Sequence, residues 1–410
     1  MLSLNAKSSF TSVATSFTPF WFFVLLFKFG AGIHYSIIAV LGSRVLPLPL
    51  VGLFIGLAAF LQVALDVPAG FMLERYGYLH MLRISTICFF LAGVIIIPGL
   101  TPLTFILSTV LSGLGWLFFT PGLEAYLLAH SPITLFGRIT GLQRTMQAIG
   151  MTLAVIGLPY FVQLPGTIIG LIIIYPLIGA LAALAIAERQ PMPTVLPARL
   201  RYRRRASQAT LTTLVSTLQK LHPLSTAFIF YSITIASYFG LLWFTLALLI
   251  ASHTSGHIIS LGMAVFDFTV IIVALVIGKI VDSSNKKIVA YIALTIVAFS
   301  AFFLWSTFQP LFILFCFLLS IGDEMFTITF WSWIDTRLPQ GEHYGLITGA
   351  LTFAEDLGWM AGPIIAGLLY TLVGPISTLH YAGLAVVLCS FLIGLLLIKA
   401  KTTKIQKIPT

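Results

Sequence analysis

Five carboxylic acids lie inside long apolar stretches of this sequence, where ionised side chains are rare. They are Asp267, Asp323, Glu324, Glu355 and Asp356. A carboxyl group in a low-dielectric environment takes up a proton more readily than it does in water, and a neighbouring acid strengthens that tendency. The residue types therefore predict reversible binding of protons or of a cationic molecule within these stretches.

Only two basic residues lie as deep in apolar stretches as the acids do. Lys28 and Arg144 both fall in the first half of the chain, whereas all five acids fall in the second half. Two bases cannot neutralise five acids, so we expect at least one acid to bind a substrate or a proton. We expect Lys28 to pair across a cavity with an acid of the tenth or eleventh span. The alternative is a structural role, in which the acids pair with Lys28, Arg144 or backbone groups and some stay protonated.

The positions of the acids along their helices rank them as candidates. Asp323 and Glu324 are adjacent and point about 100° apart on a helix, so one of them is expected to face a cavity. Glu355 shares a helical stripe with hydroxyl and aromatic residues, which favours it as a cavity residue. Its neighbour Asp356 is expected at a seam between helices. We place Asp323, Glu324 and Glu355 ahead of Asp267.

The stretches that carry these charges are long enough to cross a membrane as helices. Hydrophobic residues make up 59% of the 410 residues and charged residues only 8%, with a mean hydropathy of +1.06. So few charges could not cover the surface of a soluble protein of this length. Apolar runs of about 20 residues, each able to span a hydrocarbon layer about 30 Å thick, recur throughout. We predict twelve spans, at 19–43, 50–73, 82–100, 103–128, 138–162, 166–187, 224–250, 257–281, 288–307, 310–334, 345–370 and 375–398.

A shift of 208 residues aligns the sequence with itself, without a gap from Gly70 to Gly374. We therefore predict an all-α membrane protein of two equivalent six-helix bundles, at 1–187 and 223–410, joined by a basic linker at 188–222. Two such bundles can enclose a polar path and rock around it, which is the architecture of a carrier.

The basic residues predict the orientation of the spans. One side carries Lys7, Arg75, Arg83, Arg138, Arg189, Arg199–Arg205, Lys220, Lys279, Lys286, Lys287, Arg337 and Lys399–Lys407. The other side carries only Arg44. By the positive-inside rule, both termini are expected in the cytoplasm, with the protein in the inner or plasma membrane.

The formal net charge of +10 is then explained by topology and by attraction to anionic lipid, and a nucleic-acid partner is not expected. The arginine cluster at 199–205 lies in the predicted linker, which we interpret as a solvated segment with an interfacial basic helix. A sensor of lipid head groups is the alternative for this cluster.

The loop after the second span carries a glycine, an acid and basic residues at a characteristic spacing. The first copy has Gly70, Glu74, Arg75, Gly77 and Arg83, and the second copy has Gly278, Asp282, Lys286 and Lys287. A glycine lets two helices approach closely, and the charges can cap a neighbouring helix end or pair across a seam. This pattern, repeated at the repeat offset, resembles the signature of the major facilitator superfamily. The second copy departs from it because it lacks the second glycine.

The resemblance implies an arrangement of the twelve helices. Helices 1, 4, 7 and 10 would line a cavity, helices 2, 5, 8 and 11 would form the seam between the bundles, and helices 3, 6, 9 and 12 would face lipid. The interiors of spans 3, 6, 9 and 12 contain no Asp, Glu, Lys or Arg, which agrees because a charge facing lipid costs several kcal/mol. We expect Asp66, Glu124 and Arg138 to join the loop residues in a cytoplasmic gate network.

These observations favour a secondary transporter that works by alternating access and exports small amphiphilic or cationic compounds in exchange for protons. Uptake or exchange of a polar or anionic metabolite, with Lys28 and Arg144 as anchors, is the alternative, and a transporter-like membrane sensor is a minor one. Antiporters of this superfamily often carry a glycine-proline motif in helix 5. In this sequence span 5 has a loose version of that motif, and span 11 has a cleaner one.

We expect no enzyme, no cofactor and no nucleotide-driven step, because no phosphate-binding loop occurs. No metal site is indicated either. The three cysteines lie in apolar runs, and His34 is expected to be packed and hydrogen-bonded. We expect the protein to be a monomer.

Overall fold

The computed structural model describes residues 15–131, 136–189, 223–252, 256–304, 309–337 and 344–399, and these residues form helices joined by short turns. Twelve of the helices are long. They are α1 (Thr18–Ser43), α2 (Leu48–Tyr76), α3 (Tyr78–Ile96), α4 (Pro102–His130), α5 (Phe136–Phe161), α6 (Gly166–Arg189), α7 (Pro223–Ser252), α8 (Gly256–Ser283), α9 (Lys286–Phe303), α10 (Gln309–Arg337), α11 (Tyr344–Val373) and α12 (Pro375–Lys399). The expected all-α class is confirmed. The arginine cluster at 199–205 lies outside the described residues.

Eleven of the twelve helices are long and apolar enough, within the described residues, to cross a membrane. The exception is α5, whose length of 26 residues equals that of α1 but which carries Arg138, Gln143, Arg144 and Gln147. Its neighbours explain this composition, because α5 packs against α1 in its own half and against α8 in the other half. A helix that faces protein and a polar space needs less apolar surface than one that faces lipid.

The turns between α2 and α3 and between α8 and α9 are repeat-related but are built differently. Gly77 has φ +81°, a left-handed conformation that glycine adopts without steric cost, and this lets α3 begin directly after α2. Asn285 stands at the equivalent position of the second copy with φ −69°, and its side-chain oxygen accepts a hydrogen bond from the Lys287 backbone N–H. An N-cap therefore replaces the missing glycine.

The two halves of the chain pack in the same way. In the first half, α1 contacts α5 and α6, α3 contacts α4 and α6, and α2 contacts α4. In the second half, α7 contacts α11 and α12, α9 contacts α10 and α12, and α8 contacts α10. Each pair in one half corresponds to a pair in the other, as the internal sequence repeat implies.

The principal contacts between the halves are α2 with α11 and α5 with α8, and α1 also touches α7. These are the seam helices that the sequence resemblance implied. We call the end of the bundle with the turns at Gly77 and Asn285 the basic end, and the other the opposite end.

The seam is closed toward the opposite end. A Cβ atom added to Gly52 would overlap the carbonyl oxygen of Pro363, and one added to Gly56 would lie 2.6 Å from the carbonyl oxygen of Met360. These two glycines of α2 therefore touch the backbone of α11. Near the basic end, a Cβ atom added to Gly70 or Gly141 would meet no atom of the described residues within 4 Å. The two halves therefore pack less closely near the basic end than at the opposite end, and we call the space between them the cleft.

Candidate functional site

Asp323 lies at the middle of α10 and is held by a residue of α7. Its Oδ1 accepts a hydrogen bond of 2.7 Å from the hydroxyl of Tyr231. The Tyr231 ring is buried and packs against Phe326, with ring centroids 4.0 Å apart. The carboxyl group is therefore fixed in direction by a donor on a neighbouring helix of the same half.

Glu324, the next residue of α10, forms an ion pair with the first half of the chain. Its Oε1 lies 3.6 Å from Nη1 of Arg144 on α5. The Glu324 side chain is 13% exposed, whereas that of Arg144 is 58% exposed. Glu324 is therefore largely buried in the wall of the cleft. The Arg144 side chain extends from α5 on the other side of the cleft and remains largely accessible.

Glu355 of α11 completes this group of charges. Its side chain is exposed, it lies near enough to the Trp359 side chain for a hydrogen bond, and it is within electrostatic reach of Arg144. Its charge also acts on Asp323. We call Asp323, Glu324, Glu355, Arg144 and Tyr231 the central cluster. The structure therefore brings together three of the acids that the sequence ranked highest with one of the two deep bases, and both adjacent acids of α10 belong to it.

Lys28 has a different environment from the one the sequence predicted. Its Nζ lies 4.2 Å from the centre of the Trp116 ring and 5.4 Å from that of Phe119, both on α4. The acid whose charge acts on Lys28 is Asp267 of α8. The expectation of an acid from the tenth or eleventh span was wrong because the inward face of α8 reaches the level of Lys28, while the α10 acids turn toward Tyr231 and Arg144.

Asp267 is also unusual among the described residues because its Oδ2 is buried and has no hydrogen-bond partner there. Removing the Lys28 charge should therefore destabilise the fold. We expect Lys28→Met to lower the free energy of unfolding by about 1–3 kcal/mol, since it leaves a buried carboxylate without its counter-charge. Thermal unfolding of the purified protein in detergent measures this. In a double-mutant cycle, Asp267→Asn should recover part of the loss, and strictly additive effects would contradict the coupling.

Asp356 and Asp66 approach each other across the α2–α11 seam, close enough for their charges to interact. Asp66 is exposed, in the open part of the cleft. Asp356 was expected at the seam, and it lies on α11, the helix that contacts α2 there. The gate role of Asp66 remains a prediction. Two like charges on facing helices oppose closure of the basic end unless one of them is protonated.

The loop residues of the predicted gate act at helix ends. Nζ of Lys286 donates a hydrogen bond of 2.8 Å to the carbonyl oxygen of Ser332, near the end of α10, and Lys287 donates through its backbone to Asn285. Arg83 forms an ion pair with Glu188 of α6, within its own half. The Arg75 guanidinium lies 5.3 Å from the ring centre of Tyr76.

The remaining gate residues occupy the basic end. Glu124 and Arg138 are exposed there on α4 and α5. Glu74 falls on α2, and Gly278 and Asp282 fall on α8; the surroundings of these three residues lie outside what the structure describes.

A group of aromatic side chains of α7 and α10 pack against each other, namely Phe228, Tyr231, Phe326 and Phe330. Phe228 stacks on Phe326 and Phe330, and all three rings are buried. These rings form the wall behind Tyr231, which itself packs against Phe326. His34 was expected to be packed and hydrogen-bonded, and it is buried with its Nε2 2.8 Å from the Ser108 hydroxyl oxygen.

The sequence reasoning missed Tyr35, which joins aromatic side chains of the two halves. Tyr35 of α1 contacts Trp243 of α7 and Trp359 of α11, with ring centroids 5.7 Å and 6.1 Å apart. Tyr35 and Trp243 are repeat mates, separated by the same 208 residues as the two motif copies. Residues at equivalent positions of two related inner helices meet where the pseudo-symmetry axis passes, so the repeat contained a usable signal.

The family comparison covers most of the chain. The family model described as Major Facilitator Superfamily matches residues 21–363 and 224–410. No curated protein sequence matches the chain.

Several solved structures share the fold at low sequence identity. A mutant of the nucleoside transporter NupG has a TM-score of 0.69 and 14% identity, with coverage of 92% of this chain and 99% of that one. The xylose transporter XylE from E. coli, in a partially occluded inward-open conformation, has a TM-score of 0.62 and 14% identity, with coverage of 93% and 97%. The human organic anion transporter MFSD10 (TETRAN) has a TM-score of 0.60 and 15% identity, with coverage of 93% and 98%.

Proposed function

The chain belongs to the Major Facilitator Superfamily, a family of secondary transporters, and we propose that it exports small amphiphilic cations in exchange for protons. The observation that carries this proposal is the excess of acids in the cleft. Asp323, Glu324 and Glu355 share the single arginine of the central cluster, and Asp267 accompanies Lys28. A cationic molecule or a proton would remove the remaining repulsion between these acids.

The orientation follows from the positive-inside rule. If the basic end faces the cytoplasm, the cleft is open inward and closed outward, and both termini are cytoplasmic. The central cluster is then reached from the cytoplasm, where an export substrate would enter. Trp116 and Trp359 are partly exposed, and aromatic faces at this level favour organic cations through burial and cation–π contact.

The transport cycle needs the acids in two charge states. In the inward-open state, a cation entering from the cytoplasm would displace Arg144 from Glu324 and exchange places with protons on the acids. Rocking of the halves would then expose the same acids to the other side, where protons replace the cation. The long stem of Arg144 lets its guanidinium leave and return without movement of α5.

A second candidate function is uptake or exchange of a polar or anionic metabolite. The large exposure of the Arg144 side chain favours it, because an accessible guanidinium in a cleft can hold a carboxylate or phosphate in a bidentate manner. One structurally similar protein is named an organic anion transporter and another a nucleoside transporter. A transporter-like sensor is the minor alternative, and binding of anionic lipid near 199–205 and a monomeric state remain predictions.

The test uses tetraphenylphosphonium, an amphiphilic cation that carries no titratable proton. We expect it to raise the melting temperature of the purified protein more at about pH 8 than at about pH 5.5, because protons and the cation compete for the same carboxylates. Thermal unfolding in detergent across a concentration series gives the apparent affinity at each pH. Stabilisation that does not change with pH would count against proton exchange at this site.

The Arg144→Gln variant separates the two candidates in the same assay. If the substrate is a cation, removing the Arg144 charge frees two acids. Tetraphenylphosphonium should then bind about tenfold more tightly, because it no longer competes with a guanidinium whose attraction to the acids is worth about 1.4 kcal/mol. On the anion reading, the same variant loses the stabilisation that a small organic anion such as benzoate gives the native protein. Arg83→Gln, at the basic surface, is the control and should leave both affinities unchanged.

A further inference from the structure

A hydroxyl group of the second half donates a hydrogen bond into the backbone of the first half, at the closed end of the cleft. Ser260 Oγ on α8 donates to the carbonyl oxygen of Val155 on α5, over 2.6 Å. Ser260 is 1% exposed and Val155 is fully buried. The bond therefore lies inside the α5–α8 seam and must break when this end opens.

The carbonyl group of Val155 is free to accept this bond because of a proline. In an α-helix the backbone N–H of residue i+4 donates to the carbonyl oxygen of residue i. The residue four positions after Val155 is Pro159, which has no N–H. A buried carbonyl group without a donor is costly, so Ser260 fills a position that α5 cannot fill by itself.

The repeat-related seam shows the opposite choice of residues. Shifted by 208 residues, Ser260 corresponds to Gly52, Val155 to Pro363 and Pro159 to Gly367. On that seam Gly52 of α2 lies directly against the carbonyl oxygen of Pro363 of α11. Gly367 retains the N–H that Pro159 lacks, so the Pro363 carbonyl has an intrahelical donor available and needs no hydroxyl. A hydroxyl faces the carbonyl on the seam where the helix lacks a donor, and a glycine faces it where the helix has one.

We propose that Ser260 is a positioning residue of the transport cycle, which holds the closed end shut by donating to the carbonyl that Pro159 leaves free. When the opposite end is closed, the hydrogen bond satisfies the Val155 carbonyl group in apolar surroundings. When that end opens, water enters the separated seam and can donate to the same carbonyl group, so no protein donor is needed. The pair thus stabilises the closed end without preventing its opening. This role goes beyond the proposed function and is independent of the cargo and of the coupling ion.

The test measures the closed end directly, without substrate. Spin labels are placed at Ser43 and Ser252, exposed residues at the ends of α1 and α7, in full-length protein whose three cysteines are replaced by alanine. Pulsed electron–electron double resonance gives the distribution of distances between the two labels. We expect Ser260→Ala to shift the ratio of long to short distances about tenfold toward long distances.

A double-mutant cycle that combines Ser260→Ala with Pro159→Ala decides whether the freed carbonyl group is the cause. This substitution restores the N–H at residue 159, which can then donate to Val155 within α5. In that background, Ser260→Ala should change the ratio less than twofold. An equal shift in both backgrounds, or no shift in either, would overturn the proposal. If Ser260→Ala alone does not fold, the proposal requires that the double variant folds and matches Pro159→Ala.

Ser320→Ala is the matched control for a purely structural effect. Ser320 Oγ donates to the carbonyl oxygen of Phe266 over 2.8 Å, again from a buried serine to a backbone acceptor, but within the second half. We expect this variant to lower the melting temperature as Ser260→Ala does and to leave the distance distribution in place. A shift of the distribution in Ser320→Ala would mean that general loosening, and not the seam bond, opens the closed end.

Discussion

Replacing Glu355 by glutamine is expected to abolish the acceleration of transport by a pH gradient while the protein stays folded. Glu355 is the exposed acid of the central cluster, within reach of Arg144, Asp323 and Trp359. An amide has the shape of a protonated carboxyl group but can neither release a proton nor carry the charge that attracts a cation. A carboxylate and a cation about 4 Å apart in a protein environment attract each other by about 4 kcal/mol, so a loss on the order of a thousandfold is expected.

The measurement is flux into proteoliposomes with and without an imposed pH gradient, with tetraphenylphosphonium as the probe. Asp323→Asn should give a similar loss, because its amide oxygen can still accept from Tyr231 and the wall of the cleft is kept. The control is Glu188→Gln, the same chemical change at an acid that pairs with Arg83 at the basic surface. Wild-type acceleration in both Glu355→Gln and Asp323→Asn would remove these acids from the coupling mechanism.

Substituting Gly52 by alanine is expected to stop transport by preventing closure at the opposite end. The added methyl group would overlap the Pro363 carbonyl oxygen, which belongs to a helix backbone and cannot rotate away. Either α2 and α11 separate or the backbone shifts. Overpacking of this kind costs about 1–3 kcal/mol, which is roughly five- to a hundredfold in the balance between the closed and open states.

The same distance measurement between Ser43 and Ser252 checks this result, together with flux into proteoliposomes. Gly394→Ala is the control, because a Cβ atom there would lie 3.6 Å from the Tyr291 ring, an ordinary contact. Normal flux and a wild-type distance distribution in Gly52→Ala would show that the close approach of α2 and α11 is not needed for function.

The sequence by itself determined the class, the duplication and the helices that hold charge. Runs of apolar residues near the length of a bilayer crossing admit few structures other than membrane helices, because every backbone group must be satisfied within its own segment. The 208-residue repeat predicted that both halves pack by the same helix pairs. The absence of charges from the interiors of spans 3, 6, 9 and 12 agreed with the seam that the structure places along α2, α5, α8 and α11.

The tertiary structure alone decided which charged groups meet. These helices are apolar around their whole circumference, so the sequence pattern does not fix their rotation, and a single residue step turns a side chain by about 100°. That rotation sends Asp323 to Tyr231, Glu324 to Arg144 and Lys28 to Trp116 and Asp267. The bond from Ser260 to Val155 joins residues 105 positions apart. The proline and serine are visible in the sequence, but only the packing of α5 against α8 brings the donor to the acceptor.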